Sequence, residues 1–433
     1  MSFQQGLSGL NGAAKSLDVI GNNVANASTV GFKQSQTQFA DMYANSMNRS
    51  GNSPVGIGVT VANVSQQFTQ GNVSSSNNPL DIAINGDGFF QMSASASDLS
   101  PMYGRNGQFQ LDKNGYIINP SMNGAFLMGW AAGASGGDPV QLQIDTSSIP
   151  ATPTTSVSTK VNLDSRLAVP TVTPFNAADP NSYNNSTGVT LYDSLGNPYS
   201  MQTYYVKAAP TGVPPTTTWT VYAKIDNTTL NDGATPPAPV ALGTMTYDST
   251  GTLTQINGAA VTATSVMTLT AAQLNDPSIV KGGGNFAAPI NFSYAGSTQT
   301  GSAFVNLAQN QNGMPPGTLS SFSIDKDGTI VGSYSNQQTK NLGTVVLVNF
   351  ANPNGLQPLG NNLYAATGAA GSPLVGKPST GTFGSLQARA VEDSNVDLTA
   401  ELVNMIVAQR VYQANSQTIK VQDTVLQTLV SLR

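Results

Sequence analysis

Apolar side chains recur through the first 26 residues at Phe3, Leu7, Leu10, Ala14, Leu17 and Val24, in steps of three and four with one skip at Gly21. Such spacing puts them on one face of an α-helix, where 3.6 residues complete a turn. The end of the chain repeats the rhythm at Leu398, Leu402, Met405, Tyr412, Ile419, Leu426 and Val430. Between the two stripes the sequence is rich in Gly, Thr, Asn and Ser, and apolar residues alternate with polar ones. A striped helix needs a surface to bury its stripe against. The obvious partners are the other terminus and the termini of further copies, so the pattern predicts a subunit of an assembly.

Local signals set the expected elements. Ser2 followed by Gln5 fits a capping box at the start of the first helix. Gly6, Gly9, Gly12 and Gly21 lie inside that helix, each costing up to about 1 kcal/mol relative to Ala, so burial among partners must stabilise it. The glycines also permit close helix–helix approach. The helix should end near Asn26, because Ser28-Thr29-Val30-Gly31 is turn chemistry. Residues 35–47 are expected to hold a short helix with Phe39, Met42 and Tyr43 on one side, residues 48–54 an exposed loop, and residues 55–68 extended chain.

Residues 79–149 read as strands. Leu80, Ile82 and Ile84 alternate before Asn85-Gly86-Asp87-Gly88 turns the chain into Phe89-Phe90. A hairpin is expected around Asp112-Lys113-Asn114-Gly115 and another around Asp325-Lys326-Asp327-Gly328. If these two hairpins share one domain, the chain between them is an insertion. That insertion carries β-like segments at 188–192, 201–206, 219–225 and 266–269. Residues 341–350 should form one buried strand, and residues 351–385, rich in Gly and Pro, should be irregular. Asp397 is a good N-cap for the closing helix.

The expected architecture is therefore α+β and multi-domain, with terminal α-helices forming a coiled-coil-like inner domain around nested all-β middle domains. Its parts are 1–71 with 364–433 (helices and connecting segment), 72–149 with 311–363 (first β domain) and 150–310 (β insertion). Simple intrachain pairing of the two helices competes with intermolecular packing. Gln409, Ser416 and Asp423 interrupt the C-terminal seam, as polar residues that fix register do. Val403, Ile406, Val407, Val411, Val421, Val425 and Leu429 lie on its other faces. A helix apolar on more than one side is usually surrounded.

Composition sharpens this reading. Only 9% of the 433 residues are charged, against roughly 25% in ordinary soluble domains, and the net charge is -5. A surface so weakly charged repels its own copies little. It also presents no basic footprint for nucleic acid and no polybasic patch for anionic lipid. Cysteine and histidine are both absent, which removes disulfides, Cys/His metal sites and the Ser-His-Asp and Cys-His arrangements. No stretch approaches the ~18 consecutive apolar residues of a membrane span. The N-terminus lacks the basic start and apolar block of a secretory signal. No enzyme activity, cofactor or metal is expected.

Three near-motifs are weaker than they look. Gly371 to Pro378 approaches a phosphate-binding loop, but Pro378 stands where a Ser or Thr should hold magnesium, with no helix expected after it. The two Asp-Lys-Asp/Asn-Gly runs resemble calcium-loop fragments without the distal Glu, and read as hairpin turns. Glu392 and Asp393 form an acidic pair for which solvated or capping roles are expected.

Particular words in the sequence point further. Ala25-Asn26-Ala27-Ser28-Thr29-Val30-Gly31-Phe32-Lys33 resembles the N-terminal signature of the flagellar rod and hook protein family. Ser394-Asn395-Val396-Asp397-Leu398, Glu401 and the run Met405 to Asn415, including Gln409 and Arg410, resemble its C-terminal signature. Asn78–Phe90, Arg105–Phe109 and Tyr334–Leu356 match further blocks of the family. Tyr192-Asp193-Ser194-Leu195-Gly196-Asn197 is similar to a motif of the outer domain in hook members. Two positions depart from the pattern: Gly104 stands where Thr or Ser is common, and Arg389 where Gly is usual. Rod members are shorter and lack a large insertion, so the resemblance lies with the hook branch.

The resemblance implies a structural subunit exported unfolded by the flagellar type III export apparatus. Such subunits polymerise with their own copies into a curved flexible tube, extracellular after export, that transmits torque in swimming motility. It implies terminal helices around a central channel and β domains outside, with polymerisation carried by Phe3, Leu7, Leu10, Leu17, Val24, Leu398, Leu402, Met405, Tyr412, Ile419, Leu426 and Val430. It implies as partners a hook cap protein, a distal rod protein and a hook–filament junction protein, with no nucleic acid and no membrane insertion. Another axial subunit, such as a distal rod or junction protein, and a secreted β-rich adhesin or hydrolase are the competing classes.

Overall fold

A computed structural model describes residues 2–43, 56–95, 100–134, 136–230, 239–262, 264–280, 282–286 and 288–431. The expected loop at 48–54 lies outside them. The chain divides into two compact units. The terminal unit comprises residues 1–146, 320–333 and 339–433; the inserted unit comprises 147–319 and 334–338.

In the terminal unit, α1 (Ser2–Ala25) opens the chain and α3 (Leu398–Ser431) closes it, while a single helical turn, α2 (Ala271–Leu274), belongs to the inserted unit. α1 and α3 pack antiparallel: a Cβ on Gly6 would lie 3.2 Å from Ile419 Cγ1 and one on Gly9 2.8 Å from Asn415 Oδ1, while Asn23 at the other end of α1 reaches Glu401. Glycine is therefore what lets the two backbones approach. Asp397 caps α3 as expected, its Oδ1 accepting from Thr399 N at 2.9 Å and Ala400 N at 3.1 Å. The Ser2 side chain, and with it the expected capping box, lies outside the described residues. Gln5 donates its side-chain amide to Gly56 O at 2.6 Å, tying α1 to the strand beside it.

The chain just after α1 overturns an expectation. Residues Ser35–Tyr43 form strand β1, not a helix, and pair antiparallel along their length with β2 (Gly56–Gln66). A helix that short is marginal on its own. A ladder of backbone bonds plus packing on α1 outweighs the helical spacing of Phe39, Met42 and Tyr43; Phe39 and Val59 both lie against Gly12.

The rest of the terminal unit is built around a 13-stranded sheet. Both expected hairpins join this sheet, Gln110–Leu111 with Ile117–Asn119 and Leu319–Ile324 with Thr329–Tyr334. Their turns are held by backbone donors to aspartate: Asn114 N and Tyr116 N to Asp112 Oδ1, and Thr329 N to Asp327 Oδ1. The single buried strand expected at 341–350 is two, Thr339–Val345 and Leu347–Asn349. They switch partners at Val346 from Ala125–Ala131 to Phe89–Ser93. Residues 351–385 are less irregular than composition suggests, contributing strands Gln357–Gly360, Leu363–Ala365 and Leu374–Gly376. The last of these occupies the phosphate-loop look-alike, whose Lys377 pairs with Asp327 at 2.7 Å. Phe89, Tyr103, Val348, Phe350 and Tyr364 form an aromatic-rich core, with ring centroids 4.8–6.2 Å apart in edge-on contacts.

Among its described residues the inserted unit is β apart from α2 and one short 3-10 turn, Pro180–Ser182. A seven-stranded antiparallel sheet, led by Asn185–Tyr192, Pro198–Lys207 and Thr217–Ile225, shares one core with a five-stranded mixed sheet around Ser156–Asp164. Every strand expected from its alternation is present. Trp219, Tyr199, Tyr205, Tyr247 and Tyr294 are fully buried in that core. The Tyr192–Asn197 motif is a turn organised by one buried carboxylate. Asp193 accepts from Leu195 N, Asn197 N, Asn197 Nδ2 and Tyr199 Oη at 2.8–3.0 Å.

Candidate functional site

Residues 26–33 leave α1 through the turn that the sequence marks. Asn26 Nδ2 reaches back to Asn22 O and Asn26 Oδ1 accepts from Thr29 Oγ. Gly31 then takes φ +71, and a Cβ there would stand 2.6 Å from Asn106 N. Only glycine combines left-handed backbone with that closeness. Phe32 is half-buried and Lys33 fully buried.

The buried lysine finds its partner 359 positions away. Lys33 Nζ lies 2.6 Å from Glu392 Oε1, and Arg105 Nη1 lies 3.3 Å from Glu392 Oε2; Lys33 and Glu392 are 0% exposed and Arg105 3%. Gly71 N also donates to Glu392 Oε1 at 2.9 Å, Gly31 N to Glu392 O at 2.7 Å, and Lys33 Nζ to Thr69 O at 2.8 Å. Arg105 stands over the Phe89 ring at 5.4 Å. Burial pushes the Lys33 ammonium below the usual lysine range, the Arg105 charge pushes it further, and Glu392 opposes both. The solvated role expected of Glu392 is therefore wrong. Its neighbour Asp393 is half-buried and accepts from Ser74 Oγ. Opposite charge in a dry site explains Glu392, because a buried carboxylate persists only when paired and hydrogen-bonded.

A second cluster continues from the first. Asn395 Oδ1 accepts from Gln34 N at 2.7 Å, and its Nδ2 donates to Gln67 O and Thr69 Oγ. Asn23 bonds both backbone groups of Ser35, and Glu401, 3% exposed, accepts from Asn23 and Gln34. Ser394 Oγ accepts from Val396 N, and Val396 is half-buried. The two terminal signatures thus meet in one knot, with Gly31, Lys33, Asn395 and Arg105 at its centre. Ala25, Asp397, Leu398, Gln409 and Arg410 are exposed on or beside the helices. The departures from the family pattern have structural reasons. Arg389 adopts φ +55, the backbone region a glycine would favour, and a Cβ on Gly104 would press on Met92, Met122 and Asn362 O.

The striped helices use a different face within the chain from the one the apolar spacing picks out. On α1 the buried residues are Gly6, Gly12, Ala13, Ile20 and Asn23, whereas Phe3 and Leu7 are exposed and Leu10, Leu17 and Val24 half-buried. The inward row runs 6, 9, 13, 16, 20, 23, a heptad rhythm whose first four members, Gly6, Gly9, Ala13 and Ser16, are small, so that periodicity in residue size would have found this part of it. Along α3, Met405 and Ile419 are half-buried, but Leu398, Leu402, Tyr412, Leu426 and Val430 are exposed, as are Val403, Ile406, Val407, Val411, Val421 and Val425. A cleft of about 880 Å³ opens between α1, α3 and the β1–β2 hairpin, lined by Gly9, Ser16, Ile20, Phe39, Val59, Val407 and Asn415. Among the described residues there is no cluster of His, Cys, Asp and Glu able to hold a metal, and no helix is long and apolar enough to cross a membrane.

Long terminal helices knotted at their base, open along their apolar sides, and separated by β units define a structural subunit of a helical assembly. Family comparison identifies which. Residues 3–33 match the family described as flagellar basal body rod protein, 83–163 the flagellar hook protein FlgE/F/G D1 domain, 162–314 the flagellar basal body protein FlaE D2 domain, and 387–432 the flagellar basal body rod FlgEFG protein C-terminal region. Over 442 residues the chain is 42% identical to flagellar hook protein FlgE of Escherichia coli strain K12, and over 440 residues 43% identical to that of Salmonella typhimurium strain LT2, each with both chains covered in full. It is 30% identical to the FlgE of Borreliella burgdorferi, covering all of this chain and 99% of the other. The crystal structure of Helicobacter pylori flagellar hook protein FlgE2 shares the fold, with TM-score 0.52 at 16% identity over 74% of this chain and all of that one.

The chain belongs to the flagellar hook protein FlgE family. It is a structural hook subunit rather than an enzyme. Its place is the hook, an extracellular part of the flagellum, where members polymerise with their own copies within the axial structure.

Proposed function

We propose that the subunit polymerises into a curved, flexible tube that works as a universal joint, passing torque from the basal-body rod to the filament in swimming. The carrying observation is the exposure of α3. In the single chain, Leu402, Ile406, Val411, Leu426 and Val430 all stand open to water on more than one side, and exposed apolar patches of this kind mark interaction surfaces. In this reading neighbouring copies cover it, with the stripe residues Phe3 to Val24 on α1 adding to the same core.

The division into helical residues 1–71 and 364–433, a first β domain of 72–149 and 311–363, and an outer β domain of 150–310 belongs to the same proposal. The outer faces are polar and weakly charged, so contacts between neighbouring β domains exchange at little cost as the tube bends. The partners are a distal rod protein below, a junction protein above, a cap protein at the growing end, and the type III export apparatus that delivers the chain.

The test is Leu402→Gln and Leu426→Gln. Both positions are exposed, and Gln has nearly the helix propensity of Leu, so the monomer should melt as the parent does. Electron micrographs at high concentration should then show no tubes, or short ones. Normal tubes from both variants would remove α3 from the polymer core.

A further inference from the structure

We propose that Glu392 is a latch requiring both ends of the chain: its carboxylate is the charge that lets the N-terminal arm dock, so that the arms carrying α1 and α3 lock onto the β framework together. The latch is a property of the single chain and its test does not depend on assembly.

The knot holds two cations and one anion, all withdrawn from water. Each carboxylate oxygen of Glu392 takes one cation, Lys33 on Oε1 and Arg105 on Oε2. Lys33 belongs to the N-terminal arm, Arg105 to the β framework, and Glu392 to strand Ala390–Glu392, which pairs with Val73–Ser75 and leads into α3. If the site closed over the N-terminal arm without the Glu392 carboxylate, Lys33 and Arg105 would share a dry site with no anion between them. Like charges in a low-dielectric interior repel strongly, and an uncompensated buried ion is among the most destabilising features a fold can carry. Docking of the first arm is therefore conditional on the last. Arg105 Nε, buried without a hydrogen-bond partner among the described residues, marks the site as already short of acceptors. Burial first, and the Arg105 charge after it, lower the proton affinity of Lys33 despite its Glu392 partner.

Ordinary packing and a charge latch make different predictions for paired substitutions. Glu392→Gln keeps the shape and removes the charge, leaving two buried cations. Lys33→Met leaves a neutral Arg105–Glu392 pair. The double variant leaves one cation instead of two.

The experiment is hydrogen exchange on the full-length monomer, followed at the Gly31 and Gly71 amides, which both bond to Glu392, and at α1 amides around Ile20. Glu392→Gln should lose protection on the order of 100- to 1,000-fold, the scale of breaking a buried ion pair. Lys33→Met should lose less than about tenfold, because Glu392 stays paired. Adding Lys33→Met to Glu392→Gln should recover about tenfold, since the like-charge confrontation is gone. If Glu392→Gln fails to fold at all, recovery of folding in the double variant is the same result. Equal, additive losses from the two single changes, or a double variant no better than Glu392→Gln, would overturn the latch and leave simple packing.

Discussion

Replacing Gly31 by Ala tests whether the turn between α1 and the buried knot is as tightly specified as the geometry implies. Gly31 sits at φ +71, where an L-residue with a Cβ costs about 1–2 kcal/mol. The added Cβ would lie 2.6 Å from Asn106 N, 2.8 Å from Asn106 Cα and 2.9 Å from Arg105 C. Carbon contacts are comfortable near ~3.5–4.0 Å, and these neighbours are backbone atoms that cannot rotate aside. The turn must back away from the Arg105–Asn106 segment, stretching the 2.7 Å bond from Gly31 N to Glu392 O and loosening Lys33 in its site. Overpacking of this kind costs about 1–3 kcal/mol, so the total loss is roughly 2–5 kcal/mol. At about 2–4 °C per kcal/mol for a unit of this size, the terminal unit should melt roughly 5–15 °C lower by calorimetry. Gly21→Ala is the control: it is helical and nothing lies within 4 Å of the added Cβ, so it should gain up to about 1 kcal/mol. A Gly31→Ala protein that melts with the parent would show that the backbone at this turn is not constrained as argued.

Two further outcomes follow from the inserted unit. Asp193→Ala should destabilise it by about 2–4 kcal/mol in urea unfolding, because it strands several donors that the buried carboxylate satisfies; an unchanged midpoint would refute that role. Acid should weaken the same unit. Arg166 beside Asp164 holds its carboxyl down to about 2, and hydroxyl and backbone donors lower Asp248 and Asp276. Burial works against Asp193, yet its four donors outweigh it and the net shift is also downward. Folded values below the unfolded ~3.9 mean that the unfolded chain binds more protons in acid. Their stabilisation should be complete above about pH 5 and fade as pH falls towards 2, with no comparable loss between pH 5 and 8; a flat stability profile down to pH 2 would contradict it.

Much of the fold was legible because it rests on local chemistry. α1 and α3 follow from side-chain spacing, Asp397 caps the helix it precedes, and the Asp112 turn closes through donors two and four residues on. The strands of the inserted unit follow from alternation. These features depend on residues within a turn or two of one another, and the order of residues is enough to specify them.

What the order of residues left open is what burial and long-range pairing decide. Ser35–Tyr43 has helical spacing but becomes a strand because Gly56–Gln66 and α1 offer more than a short helix can. Glu392 reads as a surface carboxylate until Lys33 and Arg105 are brought to it. The stripe on α1 marks an apolar face, yet the face that meets α3 is the row beside it, where Gly6 and Gly9 let the two backbones approach closely. The signatures at the two termini could be read as words, but their joint meaning, one buried knot, exists only when segments more than three hundred residues apart share a space from which water is excluded.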